Sequence, residues 1–336
     1  MMDSLCWQDV LGHEENIKRL RIMLRDGRLP HALLFSGISG VGKKKVARLL
    51  AAALLCGKKD APCGDCPSCR AFLAGAHPDY VEAAPKSRGK GVRVLRIDVV
   101  RELEKMVARK PLLSGRFVVL IDNADAMNEP AANSFLKTLE EPQGAVFFLL
   151  VTAKRAALLP TILSRVRDMY FGALAPETIQ EALLAHGVES GKARLLAMAA
   201  DGSLRHALLL LEEDGVHLIE DAARTLLSLQ SLDLFKLWAK AEELGELPRE
   251  RAEDWLLALS RLLRDMLVLL AGSGTLYYEE RRGELARALA DFSERRILSL
   301  LSLVCEALRR LRSNASARLV FEGLLLRLRD AQVKNE

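Results

Sequence analysis

A buried strand that runs directly into a glycine loop and then a helix leaves a chain few folds to choose from, and residues 31–56 read that way. Residues 31–36 (His-Ala-Leu-Leu-Phe-Ser) are a short apolar run of strand type, and residues 43–56 carry apolar side chains at helical spacing. Between them lies Gly37-Ile-Ser-Gly-Val-Gly42-Lys43-Lys44, which fits G-x-x-x-x-G-K-[ST] at every position but the last. In such a loop the backbone N–H groups cradle phosphates, the lysine balances their charge, and the closing hydroxyl helps to hold Mg²⁺. Lys44 puts an ammonium where that hydroxyl belongs. An ammonium has no lone pair for a metal and repels one. The loop residues Gly37, Gly40, Gly42, Lys43 and Lys44 thus predict a nucleotide-binding architecture with part of its chemistry removed.

Two more strands are expected at 117–121 and 146–152, with a helix over 130–139 between them that Pro142 closes. Strands alternating with helices predict a parallel α/β sheet. The first of these strands delivers Asp122 at its C-terminal end, where such sheets place ligands, and Asp122 is the acidic residue that can meet Mg²⁺ through water. Asn123 follows it where hydrolytic relatives of this motif carry Glu, and an amide cannot take a proton from water as a carboxylate does. Lys44 and Asn123 are independent defects in one site, and together they predict poor hydrolysis. ATP and Mg²⁺ binding are doubtful on this reading. A plain Gly-rich turn is the bland alternative, against which the flanking strand, the helix and the distal Asp strand all agree. Thr152, at the end of its strand, is by default a β-branched strand residue.

Cys56, Cys63, Cys66 and Cys69 follow C-x6-C-x2-C-x2-C, with Gly64 and Pro67 shaping turns between the last three. Four thiolates surround Zn²⁺ as a tetrahedron and leave no open position, so this spacing predicts a structural zinc module rather than a catalytic metal. Cys6 and Cys305 stand alone and are expected as unpaired core thiols. The first residues lack the basic and apolar regions of a signal peptide, and the longest apolar runs, 145–151 and 266–271, are far too short to cross a membrane. A cytoplasmic protein is expected, in which clustered thiols are metal ligands before they are disulfides.

At 336 residues, half of them hydrophobic but only 5% aromatic, the chain predicts more than one core and a Leu/Ala-rich helical remainder. The expected organisation is a P-loop α/β domain over 1–172 with the zinc module at about 56–69, a small helical lid over 173–223, and a helical collar over 224–336. Residues 255–270 place Arg261, Arg264 and Asp265 on one polar stripe of an amphipathic helix and leucines on the other face. The net charge of +5 permits nucleic-acid contact without demanding it, and residues 85–91 read as an exposed basic loop.

With these residues assembled, the chain resembles the bacterial clamp-loader subunits of the AAA+ class. Trp7-Gln-Asp-Val-Leu-Gly-His13 is similar to their N-terminal adenine-side segment, and His31-Ala-Leu-Leu-Phe to their first core strand. Cys63-Gly-Asp-Cys-Pro-Ser-Cys69 with His77-Pro-Asp79 is similar to their zinc module. Ala131-Ala-Asn-Ser-Phe-Leu-Lys-Thr-Leu-Glu-Glu-Pro142 is the most diagnostic string, and Ile162-Leu-Ser-Arg165 matches the position of a Ser-Arg-Cys motif whose last residue is here Val166. Lys44 and Asn123 separate this chain from the hydrolysing gamma/tau subunits and match the family's non-hydrolysing stator. The resemblance implies a hetero-pentamer with delta and gamma/tau subunits that loads a sliding clamp onto primer-template DNA within a DNA polymerase holoenzyme. It also implies that Arg165 is an arginine finger acting in trans and that Arg205, in Gly202-Ser203-Leu204-Arg205, senses phosphate; without that context Arg165 reads as a solvated surface side chain and Ser203 as a helix cap.

Two other classes compete. An active ATPase motor subunit of gamma/tau type needs Mg²⁺ held without the loop hydroxyl and water activated without Glu. A zinc-knuckle nucleic-acid binder would use the cysteine module and residues 86–93, which lack the interleaved aromatics of a base-stacking surface.

Overall fold

The computed structural model describes residues 4–85, 94–142, 144–229, 233–313 and 315–333. The basic loop at 86–93 lies outside the described residues. The chain divides into two units, one of residues up to 179 together with 202–205, the other of residues 180–201 and 206 onward.

The first unit contains α1 (Glu14–Arg25), β1 (Ala32–Gly37), α2 (Lys43–Leu55), α3 (Pro67–Leu73), β2 (Tyr80–Ala83), α4 (Ile97–Val107), β3 (Phe117–Ile121), α5 (Glu129–Glu140), β4 (Val146–Val151), α6 (Pro160–Leu163) and β5 (Arg167–Phe171). The strands form one five-stranded sheet in the order β2-β3-β4-β1-β5, with every neighbouring pair parallel. The expected α/β class with a parallel sheet is therefore observed. β2 and β5 join the three strands read from sequence and occupy the two edges.

The three central strands are buried on both faces, as their continuous apolar runs require. On one face Leu34, Val119, Ile121, Phe148 and Leu150 pack with Val100 and Leu103 of α4 and Ala131, Phe135 and Leu139 of α5. Phe135 and Phe148 meet edge to face with centroids 5.3 Å apart. The alternate residues Leu33, Phe35, Val118 and Leu149 face the other way, the side on which α2 packs against β1, β3 and β4. α2 is apolar nearly all round, and Val46, Ala47 and every residue from Leu49 to Leu55 are buried, which marks it as a core helix.

α7 (Pro176–Ala185) and α9 (Leu204–Glu212) begin in the first unit and continue into the second, which also holds α8 (Ser190–Ala199), α10 (Gly215–Ser228), α11 (Leu234–Glu246), α12 (Arg249–Ala271), α13 (Arg282–Ala288), α14 (Glu294–Arg312) and α15 (Ala317–Val333). No strand occurs there among the described residues. α12 is central, packed on α10, α13 and α14, while α11 packs on α15. Trp255 of α12 meets Phe321 of α15 edge to face at 5.7 Å and donates its indole N–H to Asp221 of α10 at 2.8 Å.

Of the polar stripe of α12, Arg264 is partly exposed, whereas Arg261 and Asp265 do not face water. Asp265 is fully buried and accepts the backbone N–H groups of Tyr277 at 2.9 Å and Tyr278 at 2.8 Å, and Arg261 is buried in an ion pair with Asp201. A charge persists in a core only where such partners replace its lost hydration, so these residues fasten the bundle instead of solvating it. Cys305 is also corrected: it is exposed, not a core thiol. Among the described residues no helix is long and apolar enough to cross a membrane.

Removing the Asp265 carboxylate leaves two buried N–H donors without an acceptor. Asp265→Ala should cost about 2–4 kcal/mol, read as a lower urea midpoint for the all-helical unit. An unchanged midpoint would count against the account.

Candidate nucleotide site and cysteine cluster

At two glycines of the loop, Gly37 and Gly40, the neighbouring chain leaves no room for a side chain. Gly37, at φ 132°, lies against Phe171 of β5, so a Cβ would collide with the Phe171 carbonyl oxygen. Gly40, at φ 79°, lies against Ser203 and Arg205, and a Cβ there would strike the Ser203 hydroxyl and the Arg205 Cβ. The N–H of Arg205 donates to the Gly40 carbonyl at 3.3 Å. Residues 202–205 thus rest on the loop tip, while the N-terminal segment closes its flank: the His13 ring bonds the Val41 carbonyl at 2.9 Å.

Gly42, left-handed at φ 102°, starts α2 and aims Lys43 and Lys44 in different directions. The buried Lys43 ammonium donates to the carbonyls of Gly37, at 2.8 Å, and Ile38. Burial pulls its pKa down to about 8, against the opposing pull of Asp122 and Asp125. Lys44 reaches across to the end of the sheet, where its ammonium lies 2.9 Å from Asp122 and 2.7 Å from Glu82. Burial works against its charge, but those two carboxylates win and raise its pKa.

Glu82 was not legible as a site residue. It sits on β2 beside the Asp122 strand and takes a two-pronged ion pair from Arg48, one helical turn beyond Lys44, at 2.8 and 2.9 Å, and the Tyr80 hydroxyl at 3.0 Å. Burial alone would raise the Glu82 pKa; the hydrogen bonds from Arg48 and Lys44 overcome it and hold the carboxyl at about 2. Two signals were available: the period-two alternation of Tyr80 and Glu82 with apolar neighbours, and the i, i+4 placement of Lys44 and Arg48 on a helix that is apolar beyond Arg48.

The other expected site residues gather at this C-terminal edge of the sheet. Asn123, left-handed at φ 50°, donates its N–H to Asp122 at 3.0 Å. Thr152 is buried, and its hydroxyl donates to Asp125 at 2.6 Å while accepting the Lys154 N–H at 2.9 Å. Arg165 stands apart. It precedes β5, whose first residue pairs with Leu33 at the start of β1, so it lies at the edge where the strands begin. A six-residue strand separates the two edges by about 20 Å. There its Nε donates to Glu140 at 2.8 Å and its Nη1 to the Thr161 carbonyl at 2.9 Å.

The four cysteines converge. Their sulfurs all lie within 4.8 Å of one another, with Cys63 to Cys69 and Cys56 to Cys66 each 3.9 Å apart. Bonds of about 2.3 Å to a tetrahedral metal place sulfurs about 3.8 Å apart, so the donor set fits such an ion. Cys66 caps α3 by accepting the Cys69 N–H at 3.4 Å, and Pro67 occupies the first helical turn. His77 is no ligand in this arrangement. Its Nδ1 accepts the Asp79 N–H at 3.0 Å, which leaves the proton on Nε2 to donate to Ser68 at 2.8 Å. Buried Asp79 in turn accepts the N–H groups of Leu112, Leu113 and Ser114 at 2.6–2.8 Å.

The sequence family described as DNA polymerase III, delta subunit, matches residues 12–175. Over 320 residues the chain is 32% identical to DNA polymerase III subunit delta′ of Escherichia coli, covering 93% of each protein. The chain belongs to the DNA polymerase III delta′ family. Family membership thus extends well beyond the sheet unit. The chain is also 41% identical over 216 residues to DNA polymerase III subunit tau of Salmonella typhimurium, but spans only 32% of the length of that relative. Among solved structures, a gamma subunit-related protein of DNA polymerase III from Thermotoga maritima aligns with 94% of this chain and 99% of its own, at 18% identity and a TM-score of 0.46.

Because Glu82 is held ionised far below its usual range, the stability it contributes is present above about pH 4.5 and is lost as pH falls toward about 2. Glu82→Gln should lower the unfolding free energy at neutral pH by on the order of 1–2 kcal/mol after screening, read as a lower thermal midpoint. The gap to the parent should close across that acid window. A gap independent of pH would contradict the assignment.

Proposed function

We propose that this chain is a non-hydrolysing clamp-loader subunit that takes part in loading a sliding clamp onto primed DNA and lends Arg165 to a neighbouring ATPase subunit. One observation carries the first half: the Lys44 ammonium lies between Asp122 and Glu82, where a hydrolytic loop would bring its metal. Asn123 adds the lack of a carboxylate beside Asp122 to draw a proton from water. The second half draws on the position of Arg165. With a strand length between it and its own loop, any triphosphate it touches belongs to another chain. Glu140 holds it in a partly exposed place from which a guanidinium can exchange one anionic partner for another.

On this reading the partners are delta and gamma/tau subunits in a hetero-pentamer, the setting is the cytoplasm, residues 173–223 act as a helical lid, and residues 224–336 as the collar that holds the assembly together. Phe235 and Trp238 on α11, 83% and 57% exposed, are the kind of apolar surface a collar contact would cover. Arg205, against Gly40, takes the phosphate-sensing place. The four-cysteine cluster holds Zn²⁺ as a closed structural site, since four sulfur donors select a soft, tetrahedral ion and leave no position for substrate.

In a reconstituted complex, Arg165→Ala should slow turnover at the facing site by about 10³ or more, the range that finger arginines supply elsewhere. Assembly by gel filtration should be unchanged and Arg165→Lys a poor substitute, because lysine lacks the planar fork. An unaltered DNA-stimulated ATPase would refute the role. The purified chain should carry stoichiometric zinc by elemental analysis, and chelation should lower its thermal midpoint; metal-free protein of unchanged stability would exclude the zinc assignment.

A further inference from the structure

At the opposite end of α2 from the glycine loop lies a cavity of about 1030 Å³, bounded by α1, the last turn of α2, residues 57–61 and the stretch before β3. α2 is 13 residues long, so about 18 Å of helix separates this cavity from Lys43. All of its lining belongs to the first unit, and it touches the cysteine cluster only at Cys56.

One face of α1 runs along it: Glu14, Ile17, Lys18, Arg21, Ile22 and Arg25 recur at intervals of three and four residues. The floor is apolar, with Ile17, Leu54 and Leu55 buried and Ile22 41% exposed. Around it six cations stand against two carboxylates, Glu14 and Asp60. Arg25 and Lys58 have exposed ion-pair partners in Asp26 and Asp65. Among the described residues Lys18, Arg21 and Lys59 have neither an ion pair nor a side-chain hydrogen bond. Cations without counter-charge around an apolar hollow set two requirements for an occupant: carboxylates at the rim and hydrocarbon at the centre.

A nucleic-acid strand meets only the first of these. Trp7, the one aromatic side chain of the lining, is buried with its indole N–H on the Ala61 carbonyl at 3.2 Å, so a base has no ring to stack on. A small ligand is oriented by polar groups aimed into its pocket, whereas Lys18, Arg21 and Lys59 all lie at the exposed rim. A peptide supplies both parts at the right length. From Glu14 to Arg25 the face of α1 spans about 16 Å, the length of about five extended residues.

We propose that this groove docks a short acidic segment of a partner protein, its carboxylates paired with Lys18, Arg21 and Lys59 and its apolar side chains seated on Ile22 and the buried floor. The docking is independent of the clamp-loader reading, since neither the glycine loop nor Arg165 lines the groove.

The test is selection of random peptides of about twelve residues, displayed on phage, against the full-length chain, followed by fluorescence anisotropy of the selected peptides labelled with fluorescein. Selected sequences should combine Asp or Glu with Leu, Ile, Val or Phe. Neutral or basic sequences, or no enrichment by chain shown folded by circular dichroism, would overturn the proposal. The double variant Lys18→Glu/Arg21→Glu should weaken peptide binding by about tenfold or more, and Ile22→Ser by about fivefold. Their thermal midpoints should match the parent, because all three side chains are exposed. Arg19→Glu, on the same helix but outside the lining, should change binding little. An equal loss from Arg19→Glu would show attraction by net charge alone and remove the site. A fluorescein-labelled single-stranded oligonucleotide that binds more tightly than the peptides, and is lost in the double variant, would overturn the peptide assignment in favour of nucleic acid.

Discussion

An ammonium clasped between two carboxylates joins three elements that are distant in sequence: α2 through Lys44, β2 through Glu82 and β3 through Asp122. Asp122 and Glu82 end neighbouring parallel strands, so without a cation two like charges would face each other in a half-buried place. Lys44 and Arg48, one turn apart on α2, supply that cation twice over. The helix that begins at the phosphate loop is therefore locked to the sheet edge by charge, and the loop is held in one position relative to the strands.

Preorganisation of this kind serves binding more than turnover. The Thr152 hydroxyl is committed to Asp125, Asn123 turns in the left-handed region with its N–H on Asp122, and residues 202–205 close on Gly40. These groups at the sheet edge already have internal partners, whereas a hydrolytic site keeps a carboxylate and a metal position open for water. Arg165 differs in kind: its ion pair with Glu140 is partly exposed, so exchanging that partner carries only a small desolvation penalty.

Central strands were legible in the sequence because burial on both faces writes a continuous apolar run, as in Phe117–Ile121. The edge strands were not. β5 reads Arg-Asp-Met-Tyr-Phe and β2 reads Tyr-Val-Glu-Ala, half-buried mixtures that lack such a run. The loop, Asp122 and the cysteine cluster were readable because each is a local string whose spacing carries its chemistry. Glu82 was hidden because its meaning comes from pairing with Lys44 and Arg48 across the fold. Arg261 and Asp265 illustrate the same limit, since a polar stripe on a helix looks alike in sequence whether it meets water or Asp201.

The cysteine module bears on the same helix from the other end. α2 finishes at Leu55 with Cys56 as its cap, and two of its terminal carbonyls find donors nearby: Leu55 accepts from the Ser68 hydroxyl at 2.9 Å and Leu54 from Arg116 at 3.4 Å. The last carbonyls of a helix ordinarily depend on water and fray first. Here a thiol cluster and a serine stitch that last turn shut, so the segment that opens at the phosphate loop has no loose tail through which it could unwind.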